Sequence, residues 1–187
     1  MRKDFGKKTW LTPMPVLIIG TYDENGVADA MNAAWGGIYD YNQITISLSG
    51  HVTTDNIRKN KAFTVSVGTV DTLKASDFVG LVSLAKEPRK LEIAGLHPFK
   101  SSRVNAPLFE EYPLTLECEL VSLEGEMGEG GTLIGEIVNV SIDEKVLTND
   151  KVDMKKLRPI VFDTFNAKYI ELGEEAGNAF KDGLSLK

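Results

Sequence analysis

PVLIIGTYDENGVADAMNAAW, residues 15–35, decides the fold. PVLIIGTYD, residues 15–23, is rich in bulky apolar side chains and reads as a strand. In ENG, Asn25-Gly26 supplies the positive φ angles that a tight hairpin turn needs. VADAMNAAW, residues 27–35, then reads as the returning strand. Strands joined so tightly are antiparallel, because a parallel pair needs a long crossover. The return strand ends oddly. In DAMNAAWGGI, residues 29–38, Ala30, Ala33, Ala34, Gly36 and Gly37 enclose one Asn and one Trp, where a plain core strand prefers branched residues.

The same pattern continues outward. QITISLSG (43–50) and AFTVSVG (62–68) read as strands, and TTDNIRKN (53–60) between them as a short helix. Thr53 or Thr54 is the expected cap of that helix, with Asp55 in its first turn. TVDTLKASDFVGLVS (69–83) has helical spacing, with Leu73, Phe78, Val79 and Val82 on one side. PRKLEIAG (88–95) adds a helix opened by Pro88. LTLECELVSLEGE (114–126) and TLIGEIVNVSID (132–143) are long strands around a glycine-rich turn, GEMGEGG, expected to be flexible. PIVFDTF (159–165) and KYIEL (168–172) complete the set. About seven or eight strands joined mostly by hairpins, with two or three short helices, predict a mainly β fold, a barrel or closed sheet, and not a doubly wound one.

A chain of 187 residues, 42% hydrophobic and 26% charged, suits a single domain over 1–187 whose core needs neither disulfide nor structural metal. The net charge of −6 speaks against a general nucleic-acid binder but leaves room for a local anion pocket. Cys118 is the single cysteine, and MRKDFGKKTWLTPMP (1–15) carries no secretory leader, so a cytoplasmic location is expected. No apolar run approaches a membrane span. Neither GxGxxG after the first strand nor GxxxxGK[ST] is present, and the GEMGEGG glycines have the wrong spacing for either. His51 and His97 are far apart, without HExxH or CxxC, so no metal site is expected. GxSxG is missing, and no Ser-His-Asp set announces itself. The sequon at Asn139 falls inside a strand and reads as chance.

Two stretches carry chemistry. Along MNAAW, small residues let a flat ligand lie against the backbone, Asn32 offers a donor and an acceptor, and Trp35 a rigid apolar wall. The same small residues would also let a helix pack closely on the sheet; from this stretch alone both readings stand. SLSGHVTTDNI, residues 47–57, then gathers Ser49, His51, Thr53, Thr54 and Asn56 where a strand gives way to a helix, a place suited to an anion.

PVLIIGTYDENGVADAMNAAW, ISLSGHVTTDNIRKN, ASDFVGLVS, RKLEIAGL and APLFEEYPLTLECEL, in that order, resemble the flavin reductase-like family, which has the FMN-binding split-barrel fold and includes the flavoredoxins. The resemblance runs over about residues 13–180. It implies an antiparallel split β-barrel with a few short peripheral helices, and a homodimer holding FMN near its interface. Asn32, Ala33, Ala34 and Trp35 would border the isoalloxazine ring. Ser49, His51, Thr53, Thr54 and Asn56 would hold the ribityl chain and phosphate. Lys90 matches a position where the family often has a lysine near the cofactor. SLAKEPRKL departs from the family's shorter glycine-containing turn, which leaves Lys86, Arg89 and Lys90 as alternatives, Lys90 being favoured. The residues agree with these needs: a platform for a flat ring, donors for its N1–C2=O edge and an anion site.

The function expected is that of an FMN-dependent oxidoreductase with NADH or NADPH as donor, in which the flavin carries the chemistry and no side-chain acid or base is required. Alternatives are a flavoredoxin-like carrier that exchanges electrons with a redox protein partner, and a non-catalytic FMN-binding protein. Among other residues, Cys118 alternates with Leu116 and Leu120 and reads as a core thiol. Asp77 is read as structural, Tyr169 and Phe180 as packing residues. Phe5 and Trp10 would cover the barrel mouth or reach across a dimer seam.

Overall fold

A computed structural model describes residues 1–186 of the chain. The elements run β1 (Met14–Pro15), β2 (Leu17–Tyr22), β3 (Ala28–Ala33), β4 (Gly36–Asp40), β5 (Gln43–Leu48), α1 (Val52–Asn60), β6 (Ala62–Val67), α2 (Leu73–Leu81) and α3 (Lys90–Ala94). They continue with β7 (Pro98–Lys100), β8 (Pro107–Phe109), β9 (Leu114–Leu123), β10 (Gly131–Ile142), β11 (Leu147–Thr148), β12 (Lys151–Val152), α4 (Met154–Leu157), β13 (Ile160–Asp163) and β14 (Lys168–Glu171). The strands are joined mainly by hairpins and the helices are short, so the fold is the expected antiparallel split barrel.

Seven strands form one antiparallel sheet in the order β3-β2-β6-β9-β10-β5-β4. Its two edges, β3 and β4, are consecutive in the chain. The sheet therefore curls until Ala34 and Trp35 step from one edge to the other. Two register shifts in the β9–β10 ladder, at Ile134/Gly135 and Ile137/Asn139, add bend and twist to the strands opposite that seam.

β2 explains why its apolar run is continuous. Ile19 faces the barrel interior with Ile44, Ile46, Phe63, Val65, Cys118 and Leu133. Its neighbour Ile18 faces the other way, into a second core with Ala30, Val79, Phe109, Tyr112 and Ile160. Alternate side chains on a strand point to opposite faces, so a strand covered on both sides cannot alternate apolar with polar.

Several elements differ from the sequence reading. β4, GGIYD, is a strand that its two glycines hide from a pattern search. Gly36 is required by close approach: a Cβ there would lie 2.9 Å from Thr45 O and 3.0 Å from Leu17 Cδ1. α2 starts later than its periodicity suggests because Thr69 N–H donates to Thr72 Oγ1 at 2.9 Å, holding Thr69–Thr72 in a turn. α3 begins two residues after Pro88. Neither Thr53 nor Thr54 caps α1; the cap is His51, whose side chain makes no capping bond, and both threonines lie inside the helix. GEMGEGG is not a free turn, since Gly128 N–H donates to Asp55 Oδ1 at 2.8 Å on α1.

At the N-terminus, Phe5 packs on Trp10, with centroids 5.0 Å apart, and Trp10 on Phe165 at 5.5 Å. Tyr169 packs against Phe162 as expected. Phe180 does not pack on its own chain; it is 103% exposed. Among the described residues no helix is long and apolar enough to cross a membrane.

Candidate functional site

The seam and the hydroxyl-rich bend are neighbours. β4 pairs with β5 from Gly36 opposite Ile46, and Ser47 N–H donates to Trp35 O at 2.8 Å. Two residues beyond Ser47 the chain leaves β5 and enters the Ser49–His51 loop that opens α1. Ala33 and Ala34 are half-buried there, and Trp35 is 53% exposed. The result is a shelf of nearly bare main chain beside an indole, running into the start of a helix.

That helix start carries unpaired N–H groups. The first intrahelical bond is from Asp55 N–H to His51 O at 3.1 Å. The N–H groups of Val52, Thr53 and Thr54 therefore lack intrahelical acceptors, and no side chain caps them. Ser49 and His51 are exposed beside them. Free N–H groups, a hydroxyl and an imidazole make a site for a phosphate or another anion without local excess of positive charge.

The remaining bend residues face inward. Thr54 Oγ1 donates to Ser49 O at 2.7 Å and closes the loop onto itself. Asn56 donates to Thr21 Oγ1 at 3.2 Å. Thr53 Oγ1 donates to Asp29 Oδ2 at 2.9 Å. The three side chains are buried and tie α1 to β2, β3 and its own entry loop.

Asp29 is the residue that sequence reasoning passed over. It is 1% exposed, accepts from Thr53, and pairs with the Lys90 ammonium at 3.0 Å. Lys90 is itself 2% exposed. Of the three basic candidates before and in α3, Lys90 turns inward, while Lys86 and Arg89 are exposed and Arg89 lies near Glu92 at 3.8 Å. One carboxylate thus gathers β3, α1 and α3. The available signal was a lone carboxylate in a strand with both faces covered, where a buried charge requires a partner of opposite sign.

Asn32 supports the helix-packing reading of the small residues. Its amide donates to Ser76 O at 2.9 Å and lies 3.5 Å from Tyr169 Oη, so the side chain holds α2 to β3. A Cβ on Gly80 would come within 2.9 Å of Asn32 Cβ, which shows how closely that helix rests on the strand. Ala30 lies buried beneath it. The next two residues, Ala33 and Ala34, run on to the seam. Asp77 accepts from Tyr169 Oη at 2.8 Å, a side-chain partner and not a backbone cap. Burial, followed by the Asp77 carboxylate, pushes the Tyr169 phenol up to about 12, so it stays a neutral donor.

Two other features lie away from the seam. His97, Glu110 and Glu111 bring ligand atoms within 4.8 Å of one another. Glu111 is already engaged there: it accepts His97 N–H at 3.0 Å and pairs with its Nδ1. A groove of about 1170 Å³ runs between β12, α4 and the chain after β14, lined by Lys151, Met154, Lys155, Leu172 and Glu174. It contains none of the seam or bend residues.

A family described as the flavin reductase like domain matches residues 10–164. The flavoredoxin of Desulfovibrio vulgaris (Miyazaki F) is 31% identical, with a TM-score of 0.90 over 98% of this chain and 100% of its own. The flavoredoxin from Methanosarcina acetivorans is 26% identical, with a TM-score of 0.86 over 100% of both chains. An FMN-binding domain of a flavin reductases-like enzyme from Shewanella baltica OS155 shares the fold at 21% identity, with a TM-score of 0.76 over 90% of this chain and 91% of its own. No curated protein sequence matches the chain. With the family match covering most of its length, the chain belongs to the flavin reductase like domain family.

Proposed function

We propose that the chain binds FMN along the β3–β4 seam and works as an FMN-dependent oxidoreductase of the flavin reductase type, with NADH or NADPH as electron donor. The observation that carries this reading is the union of two features: a main-chain shelf beside Trp35, and an uncapped helix start reached within a few residues through the Trp35 O to Ser47 N–H bond. The residues fit the cofactor by chemistry. A flat ring needs apolar faces without bulky side chains, and a phosphate needs unpaired N–H groups.

On this reading Asn32, Ala33, Ala34 and Trp35 border the ring. Ser49, His51 and the N–H groups of Thr53 and Thr54 hold the phosphate. The side chains of Thr53, Thr54 and Asn56 fix the helix that presents those groups. Lys90 has three N–H donors, and Asp29 is its partner among the described residues. On this reading Lys90 is the lysine beside the cofactor, its charge balanced by Asp29. When bound, FMN supplies the hydride and single-electron chemistry. The chain orients the ring, keeps water from its covered face and fixes the charge around it. A homodimer that completes the open side of the seam belongs to the same reading.

A flavoredoxin-like carrier, exchanging electrons with a protein partner, is the second reading. It is favoured by the 31% identity to a flavoredoxin over almost the whole chain. Loading the protein with FMN and mixing it with NADH or NADPH in a stopped-flow instrument separates the two. Rapid loss of the oxidised-flavin absorbance with one nicotinamide supports the reductase. Bleaching by dithionite alone supports the carrier. A protein that retains no FMN after gel filtration contradicts both.

A further inference from the structure

We infer that the glycine-rich tip of the β9–β10 hairpin is a clasp that sets the shape of the Ser49–Thr54 loop and thereby the preference for a phosphorylated flavin over riboflavin. This rests on the FMN reading above. Gly128 N–H donates to Asp55 Oδ1 at 2.8 Å, and the same oxygen takes Arg58 Nη1 at 3.0 Å. Arg58 Nη2 reaches Glu124 O at 2.8 Å on the stem of the hairpin, and its side chain is nine-tenths buried. Asp55 and Arg58 both sit on α1, so two points of the hairpin are bonded to the helix that opens the anion site.

The contact is close as well as bonded. A Cβ on Gly50 would run into Gly128 O, and a Cβ on Gly130 would meet Leu48 O and come within 2.7 Å of Ser49 Cα. Main chain rests directly on main chain along Leu48–Gly50. The tip has no need to touch the cofactor; it holds Ser49 and the N–H groups after it at one spacing. A phosphate senses that spacing because it takes several donors at once, whereas riboflavin has no phosphate to lose.

Asp55 also gives the clasp a distinctive sign. Judged by charge alone, removing a carboxylate beside an anion site strengthens anion binding. A positioning role predicts the reverse. Asp55→Ala loses the Gly128 bond, and FMN affinity falls about tenfold, while riboflavin affinity changes by less than about threefold. Asp55→Asn keeps an acceptor for Gly128 N–H and keeps most of the FMN preference. Gly130→Ala, which wedges the tip from the loop, behaves as Asp55→Ala does.

The test is titration of the full chain and each variant with FMN and, separately, with riboflavin, followed by flavin fluorescence, with thermal melting as the check of folding. Should Gly130→Ala fail to fold, the two Asp55 variants carry the comparison. The clasp is overturned if Asp55→Ala binds FMN as tightly as the parent or more tightly, or if both flavins weaken by the same factor. A parent protein that holds riboflavin as tightly as FMN overturns the phosphate reading instead, and that result is visible before any variant is made.

Discussion

At the scale of single residues, burial decides which groups can react. Cys118 is fully buried in the barrel core, and burial, followed by the neighbouring Glu117 carboxylate, pushes its thiol up to about 12. The thiolate is the reactive form, so the native protein should resist a disulfide reagent at neutral pH and react with one equivalent only after denaturation. Colour release on native protein would contradict this. Lys90 is governed by the same physics from the other side. Removing one partner of a buried ion pair strands the other, so Lys90→Met should cost about 3–5 kcal/mol in denaturant unfolding. Changing Asp29 to Leu as well should restore part of that loss, and a strictly additive double variant would contradict the coupling. His97 is exposed, and its hydrogen bond and charge interaction with Glu111 raise its pKa above the ordinary value of 6.5. A raised histidine favours the folded state while protonated, so this contribution is present below that ordinary value and fades as pH rises past the folded one. NMR titration of the imidazole should show the upward shift, and Glu111→Gln should return it to the ordinary range. At this scale the sequence was only partly legible. Ser49, His51, Thr53, Thr54 and Asn56 were found as a group, but which of them face inward depends on Asp29 and Thr21, and a linear pattern carries no information about partners 24 or 35 residues away.

At the scale of elements, the first hairpin was legible because turn chemistry and strand period are local. PVLIIGTYDENGVADAMNAAW gave β2, its turn and β3 directly. β4 escaped because Gly36 is set by contact with β5 and β2, and the Gly36-Gly37 pair lacks the branched residues that mark a strand. The start of α1 escaped because the helix begins before Thr53, with His51 and not Thr53 or Thr54 at the cap, and the uncapped N–H groups that result are what make the helix start chemically interesting. The connection between β3 and β4 can be tested on its own. Ala34→Phe places a ring on the shelf while the flanking strands keep their ladders, so FMN binding should weaken by at least about tenfold while the variant still melts cooperatively. Undiminished FMN binding by a folded Ala34→Phe protein would place the ring elsewhere.

At the scale of the whole molecule, the question is what covers the open side of the barrel. Trp35 is half-exposed at the seam, Ile38 and Tyr39 follow it outward on β4, and Tyr41 in the next turn is 101% exposed. On β10, beyond β5 in the sheet, Val138 and Val140 are also exposed. Apolar side chains scattered singly need no explanation, but a run of them on an edge strand beside a candidate site suggests a surface that is covered in the working molecule. A second copy of the chain is the economical cover, because a two-fold axis lets the same patch meet itself. Light scattering should therefore give twice the 20.5 kDa chain mass. The double variant Ile38→Lys, Tyr41→Lys places two like charges on that patch and should return the single-chain mass. If the partner closes the seam, the same variant should hold FMN less tightly although neither residue borders the proposed ring site. A parent protein that stays at the single-chain mass at every concentration, and still retains FMN, would mean that one chain closes its own seam and that the exposed β4 aromatics serve some other contact.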